Sequence, residues 1–595
     1  MAVTERSSIT DDLGDDEVQA TRAASAASVD DESTNPPNDA HLQRHIAVLK
    51  DKIAARYRQG KKQRKGDGDG DSSPAFISYF DDVDFHIRSS ILDGSITEPF
   101  QLHFKGPTLE AEIKTRERAR RQLIRENILS RKLSGGGDDR DGDDAQEQLQ
   151  KEVPFDNSPL PTSFSGLYVA TWMAVGLSVV KFVLDYYWDS HHRFMQWEVV
   201  DTMTTGLFRV AAMDAAMYLA TYVVFSVQWL CKHRVLKWYN AGWWIVALYE
   251  PLFVVAFIYI NDQVLEFHWI ARIFLFLHSL VLLMKMHSFA FYNGYLWSIH
   301  NELQEDRASL ARLQDIAAVS DDKAIETTRS TLNKSLEFCR FELESQSIGG
   351  VSFPQTITVK NYFMFTMFPT LVYQSEYPRT EKIRWHYVVE KLFAIFGTIF
   401  VMIVTAQVFM YPVVLRCTAV RESQWTSWFE RLVTWSGLLV DILPSFIAIY
   451  LLDFYLIWDA ILNCIAELTM FGDRYFYGDW WNCVTWDEFS RIWNVPVYKF
   501  LLRHVYHSSI STLKLSKQQA TFMTFFISSV VHEMAMYVIF KRLRFYLFCF
   551  QMLQLPLVAI SNCAFFRGKP IIGNVIFWIG ICIGPGLMCT LYLTI

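Results

Sequence analysis

Residues 519–540 read QATFMTFFISSVVHEMAMYVIF. The run is mainly apolar and carries one ionisable pair, His532-Glu533. About 20 such residues, rising 1.5 Å each in a helix, cross the roughly 30 Å hydrocarbon core of a bilayer. Comparable runs lie at 165–187, 209–230, 240–260, 264–296, 386–416, 430–463, 544–562 and 572–593, which makes nine candidate spans. Lipid offers backbone amides no water to bond, so each run is predicted to be helical. The short alternating segments of a transmembrane β-barrel are absent. The expected fold is therefore an all-α multi-pass membrane protein. The runs at 264–296 and 430–463 exceed one bilayer thickness and predict tilted or kinked helices.

Composition agrees. The 595 residues are 51% hydrophobic, 15% aromatic and 20% charged, with a mean hydropathy of +0.11. Soluble chains carry about 25% charge. A disordered chain is excluded, and an ordinary soluble enzyme is disfavoured. The net charge of -7 arises in residues 1–150, with 22 basic and 29 acidic groups; the rest balances at 34 of each. No basic nucleic-acid footprint is present, so no nucleic-acid partner is expected.

Two regions follow. Residues 1–150 are acidic and Gly/Asp-rich in places, and are expected to be a mostly disordered cytosolic region without a cleaved signal peptide. Within it, 76–104 alternates aromatic and acidic residues. The stretch 109–133 predicts a basic helix (Arg116, Arg118, Arg120, Arg121, Arg125), either solvated or against anionic headgroups. Residues 160–595 are expected to form the transmembrane domain, where any catalytic machinery would lie. Loop charge places basic 231–239, polar 298–385 and basic 472–518 on the cytosolic side, hence a cytosolic N-terminus and a C-terminus on the far side. KRLR at 541–544 falls on the far side as a short connector. The nine cysteines include no CxxC and predict packing residues, not a disulfide framework.

An ionisable group inside a span is a functional candidate. His532 lies about 20 Å along its helix, with Ser528 one turn earlier on the same face. Lys517 lies about four turns, roughly 22 Å, before it. A cation at the cytosolic edge and an imidazole at depth suit a long amphipathic ligand with an anionic head; the alternative is a histidine satisfied within the bundle. A zinc site lacks the second His of HExxH, GxSxG is missing, and no Walker-type loop occurs. Residues 471–509 are too polar to span and unusually aromatic, with Trp480, Trp481, Trp486 and Trp493 among charged groups. They fit an interfacial structural segment or a nucleotide-holding surface.

Phe476-Tyr477-Gly478-Asp479-Trp480-Trp481-Asn482 is similar to the FYxDWWN motif of membrane-bound O-acyltransferases that esterify sterols or diacylglycerol. FGDR before it, Trp493-Asn494 and His532-Glu533 fit in the same order, as do PTLVYQSEYPRTEKIRW at 369–385 and MKMHSF at 284–289. SSVVHE at 528–533 and the long acidic N-terminus resemble the sterol O-acyltransferase branch, especially its fungal members.

The resemblance implies an MBOAT-type bundle in the endoplasmic reticulum membrane, with a lumenal C-terminus, assembled as a homo-oligomer (dimer or tetramer). It implies transfer of a long-chain acyl group from acyl-CoA to the 3-hydroxyl of an ergosterol- or cholesterol-like membrane sterol. Acyl-CoA is then a co-substrate, and no metal or cofactor is implied. His532 matches the catalytic base. Asn494 matches its partner near the thioester, a candidate donor to the carbonyl oxygen. Arg491, Trp493, Tyr498, Tyr506, Lys517 and Ser528 match acyl-CoA-binding positions. Tyr498 departs from the pattern, which commonly has His there; Tyr can donate a hydrogen bond but cannot be cationic. The rivals are a diacylglycerol O-acyltransferase with the same site, and a proton-coupled transporter using the buried His.

Overall fold

The computed structural model describes residues 197–317, 323–347, 350–423, 427–561 and 569–594, with six positions between 173 and 184. The expectations for 1–150 lie outside the described residues.

Among these residues, seven helices are long and apolar enough to cross a membrane. In chain order, α1 is Leu207–Lys232, α2 Trp238–Val264 and α3 Trp269–Ala317. The polar connection holds α4 (Lys323–Ser345) and α5 (Val359–Met367). Then come α6 (Trp385–Glu422) and α7 (Trp428–Leu468). Two short helices follow, α8 (Trp486–Ile492) and α9 (Val495–Leu501). Next are α10 (Lys517–Phe540), α11 (Tyr546–Met552), α12 (Gln554–Ser561) and α13 (Pro570–Thr594). Seven of the nine predicted spans are thus long single helices. The run 544–562 folds as the shorter α11–α12 pair, and 165–187 falls mostly outside the described residues. No strand is described, only an isolated bridge between Arg379 and Phe471.

The two over-long runs resolve differently. α3 continues as one helix past its apolar half, and the polar remainder pairs with α4. α7 contains Pro444 and then a π-helical turn at Tyr455–Ile461. Both devices interrupt regular α hydrogen bonding. Much of the bundle surface is apolar: Phe208 is 85% exposed and Phe393 76%. Lipid, not packing, satisfies such faces.

The core is aromatic around α1, α3 and α5, where Phe225, Phe289, Tyr362, Phe365 and Tyr373 interlock. Lys285, buried on α3, donates from Nζ to the carbonyl oxygens of Phe365 (3.3 Å), Thr366 (2.9 Å) and Phe368 (2.6 Å). These carbonyls cluster at the C-terminal end of α5, where a cation is favoured. The MKMHSF and PTL segments are therefore neighbours in space.

Candidate active site

α10 carries His532. Ser516 and Gln519 close its N-terminus with a reciprocal capping box, which fixes the start of the helix at Lys517. One unbroken helix therefore joins half-buried Lys517 to His532. His532 keeps accessible surface, and its Nδ1 lies 2.7 Å from the Ser528 carbonyl oxygen. A carbonyl can only accept, so Nδ1 carries the hydrogen and Nε2 is left with a lone pair. The backbone one turn below thus sets the tautomer a general base requires.

Glu533, the other half of the pair, points elsewhere. It is buried, and accepts from the backbone N–H groups of Arg544 (3.2 Å), Phe545 (2.6 Å) and Phe548 (3.1 Å) and from Tyr592 Oη (2.9 Å). It caps α11 and ties α10 to the end of α13. Nothing aims it at His532.

The FYGDWWN segment is structural at its centre. Phe476 and Trp480 are fully buried. Trp480 packs edge-on against Trp493, 5.6 Å between rings, and Trp493 stacks on Tyr450 and Phe454. Tyr477 Oη donates to Asp459 Oδ1 (3.1 Å), and Lys391 donates to Asp459 Oδ2 (2.8 Å). Asp479 starts the short 3-10 turn Trp480–Asn482. Trp481 and Asn482 are exposed. The Trp481 carbonyl accepts from Asn574 Nδ2 and Trp578 Nε1 of α13.

This frame holds the next motif. Gly478 N–H donates to Ile492 O (2.8 Å), and Val495 N–H donates to Phe476 O (3.0 Å). The two bonds bracket Trp493-Asn494. Asn494 then caps α9, its Oδ1 accepting from Val497 N–H (3.3 Å). With the oxygen so used, both hydrogens of Nδ2 stay outside the cap, oriented as donors.

The remaining expected positions are spread along the same ribbon. Arg491 pairs with Asp487 within α8. Tyr498 lies half-buried beside Val495, Tyr475 and Leu502. Tyr506 sits in the π-helical turn Leu502–His507, which continues α9 and packs on α10. Burial raises the Tyr506 phenol above its ordinary value. That turn thus brings the end of the Asn494 helix against the His532 helix.

Other spans also carry ionisable residues. The structure pairs them: Asp214 with His278 (2.5 Å), Glu250 with His287 (2.9 Å), and Lys391 with Asp459. Their signal, an ionisable residue in an apolar run, was present for each; the pairing was not. Among the described residues, Glu302, Asp306 and Cys339 on α3 and α4 lie close enough to share an ion. None of them belongs to the ribbon or to α10.

Residues 164–594 match the model of MBOAT, the membrane-bound O-acyltransferase family. The chain is 56% identical over 568 residues to sterol O-acyltransferase 2 of Saccharomyces cerevisiae, covering 94% of this chain and 86% of that protein. It is 44% identical to sterol O-acyltransferase 1 of the same yeast, covering 97% and 90%. Diacylglycerol O-acyltransferase 1C of Glycine max is 33% identical over 246 residues, 41% of this chain and 46% of that protein.

Proposed function

The chain belongs to the membrane-bound O-acyltransferase family, and from that premise we propose that it transfers a long-chain fatty acyl group from acyl-CoA to the 3-hydroxyl of a membrane sterol. The sterol relatives align along nearly the whole chain, whereas the diacylglycerol relative aligns over less than half. The observation that carries the chemistry is the Nδ1–H bond from His532 to the Ser528 carbonyl, which leaves Nε2 as the base.

Nε2 takes the proton of the sterol hydroxyl as its oxygen attacks the thioester carbonyl carbon. Asn494 Nδ2 donates to the carbonyl oxygen as it gains charge. The C–S bond then breaks, and the departing thiolate receives the proton from the imidazolium. The products are steryl ester and CoA. Acyl-CoA is a co-substrate, and this chemistry calls on no metal or redox cofactor. Lys517, Arg491, Tyr506, Tyr498, Trp493 and Ser528 serve acyl-CoA binding, with Lys517 at the cytosolic mouth. The sterol enters sideways from lipid. The protein works in the endoplasmic reticulum membrane as a homo-oligomer, a dimer or tetramer, with a cytosolic N-terminus and lumenal C-terminus.

Purified protein supplied with radiolabelled oleoyl-CoA and, in parallel, ergosterol, cholesterol or diacylglycerol is expected to label a sterol ester. Predominant triacylglycerol formation would overturn the acceptor assignment. His532→Ala is expected to stay folded and form no ester; full activity in that variant would remove His532 from the mechanism.

A further inference from the structure

The π-helical turn Leu502–His507 continues the Asn494 helix and packs on α10, and is anchored through two consecutive residues. Arg503 Nη1 donates to the carbonyl oxygen of Tyr373 (3.0 Å). His504 Nε2 lies 2.9 Å from Ser288 Oγ, and the same Oγ accepts the N–H of Tyr373 (2.8 Å). Both polar groups of the Tyr373 backbone are thus tied to the turn, one directly and one through Ser288.

Ser288 and Tyr373 are buried, so these bonds have no water to replace them. A serine hydroxyl has one hydrogen. With its oxygen already accepting the Tyr373 amide, that hydrogen is satisfied when His504 Nε2 accepts it. His504 is then a neutral acceptor; burial, reinforced by His287 and Arg503, holds it well below the ordinary imidazole value. Its ring is clamped as well. Phe500 lies 5.0 Å away, and His287, itself bonded to Glu250, meets it edge-on at 5.1 Å. Nothing in this arrangement offers Ser288 as a nucleophile: it is fully enclosed, and its oxygen is engaged by an amide.

We propose that His504 is a positioning residue for acyl transfer, pinning the π-helical turn to α3 through Ser288 so that Tyr506 and Asn494 are held in place toward the acyl donor beside α10. An i→i+5 turn is a rare, locally unfavourable geometry that recurs at functional sites and needs outside support. Misplacing a binding group by about 1 Å costs up to about a hundredfold in rate. The proposal rests on the acyltransferase reading of the site.

The test compares His504→Phe, His504→Gln, Ser288→Ala and the Phe/Ala double variant in the full-length protein. The Gln side chain puts a hydrogen-bonding atom near the place of Nε2. His504→Phe is expected to raise the KM for oleoyl-CoA about tenfold and to lower kcat, with the sterol KM and the folded, monodisperse fraction unchanged. Ser288→Ala should move the same parameters and keep measurable turnover. The double variant should be no worse than His504→Phe, because both remove one link. His504→Gln should recover to within about threefold of the parent.

Unchanged kinetics in His504→Phe, additive losses, or a loss in all variants that follows only the folded fraction would overturn the proposal. Complete inactivity of Ser288→Ala with a trapped acyl-serine in the parent would overturn it in favour of a nucleophile. If the parent itself forms no steryl ester, the functional reading has failed. Direct binding of oleoyl-CoA to parent and His504→Phe protein then still decides: weaker binding in the variant supports the clamp, equal binding refutes it.

Discussion

Glu533 sits beside the proposed base, and the structure gives it a job that can be separated from catalysis. The residue is 3% exposed, and its carboxylate receives three backbone N–H groups and one phenol. Glu533→Ala leaves those donors without an acceptor at the start of α11. Removing one side of a buried, charge-assisted network costs about 3–5 kcal/mol. That is a large part of the roughly 5–15 kcal/mol by which native domains are stable. Glu533→Gln keeps one carbonyl oxygen for Arg544 and Phe545 but turns an NH2 group toward the other donors, for a cost of about 1–2 kcal/mol.

The assay heats detergent-solubilised protein in steps and follows the monodisperse peak by size exclusion, then measures ester formation per folded molecule. Glu533→Ala should be largely lost from the peak. Glu533→Gln should melt a few degrees lower yet turn over within about threefold of the parent. An unshifted melting temperature in Glu533→Gln, together with a fall in turnover of about a hundredfold, would refute the structural assignment and place Glu533 in the chemistry of His532.

Three further outcomes follow from the geometry. Asn494→Ala should lower kcat more than it raises the acyl-CoA KM, and should also cost about 1 kcal/mol of stability through the lost α9 cap; a pure KM effect would mean uniform binding. Lys391→Met strands Asp459 in the bundle and should destabilise by about 3–5 kcal/mol in the thermal assay, more than the Lys391→Met/Asp459→Asn pair. Gly294→Ala should destabilise by about 1–3 kcal/mol, because its Cβ would lie 2.6 Å from the buried Trp238 ring.

The spans were legible because lipid imposes a long apolar run on each: 209–230 and 240–260 correspond to Leu207–Lys232 and Trp238–Val264. The π-helical turns were not, since one added residue per turn leaves no trace in hydropathy. His532 stood out as an imidazole in a span, but its tautomer depended on a backbone contact. The FYGDWWN segment left two readings open. The burial of Phe476 and Trp480, and the bonds from Phe476 and Gly478 that bracket Asn494, make it chiefly a frame. The role of His504 had no local signal, because its partner Ser288 lies 216 positions away and no sequence pattern connects them.

α3 is an uninterrupted helix of 49 residues, about 73 Å long. Its inner part carries Lys285 and Ser288, and its outer part lies against α4. A rod without a joint transmits torque. Force applied to the α3–α4 hairpin outside the bilayer, by a crosslink or an antibody fragment, is therefore delivered to the seat of Ser288 with little lost on the way. The hairpin is a mechanical handle on the membrane interior, reachable from water.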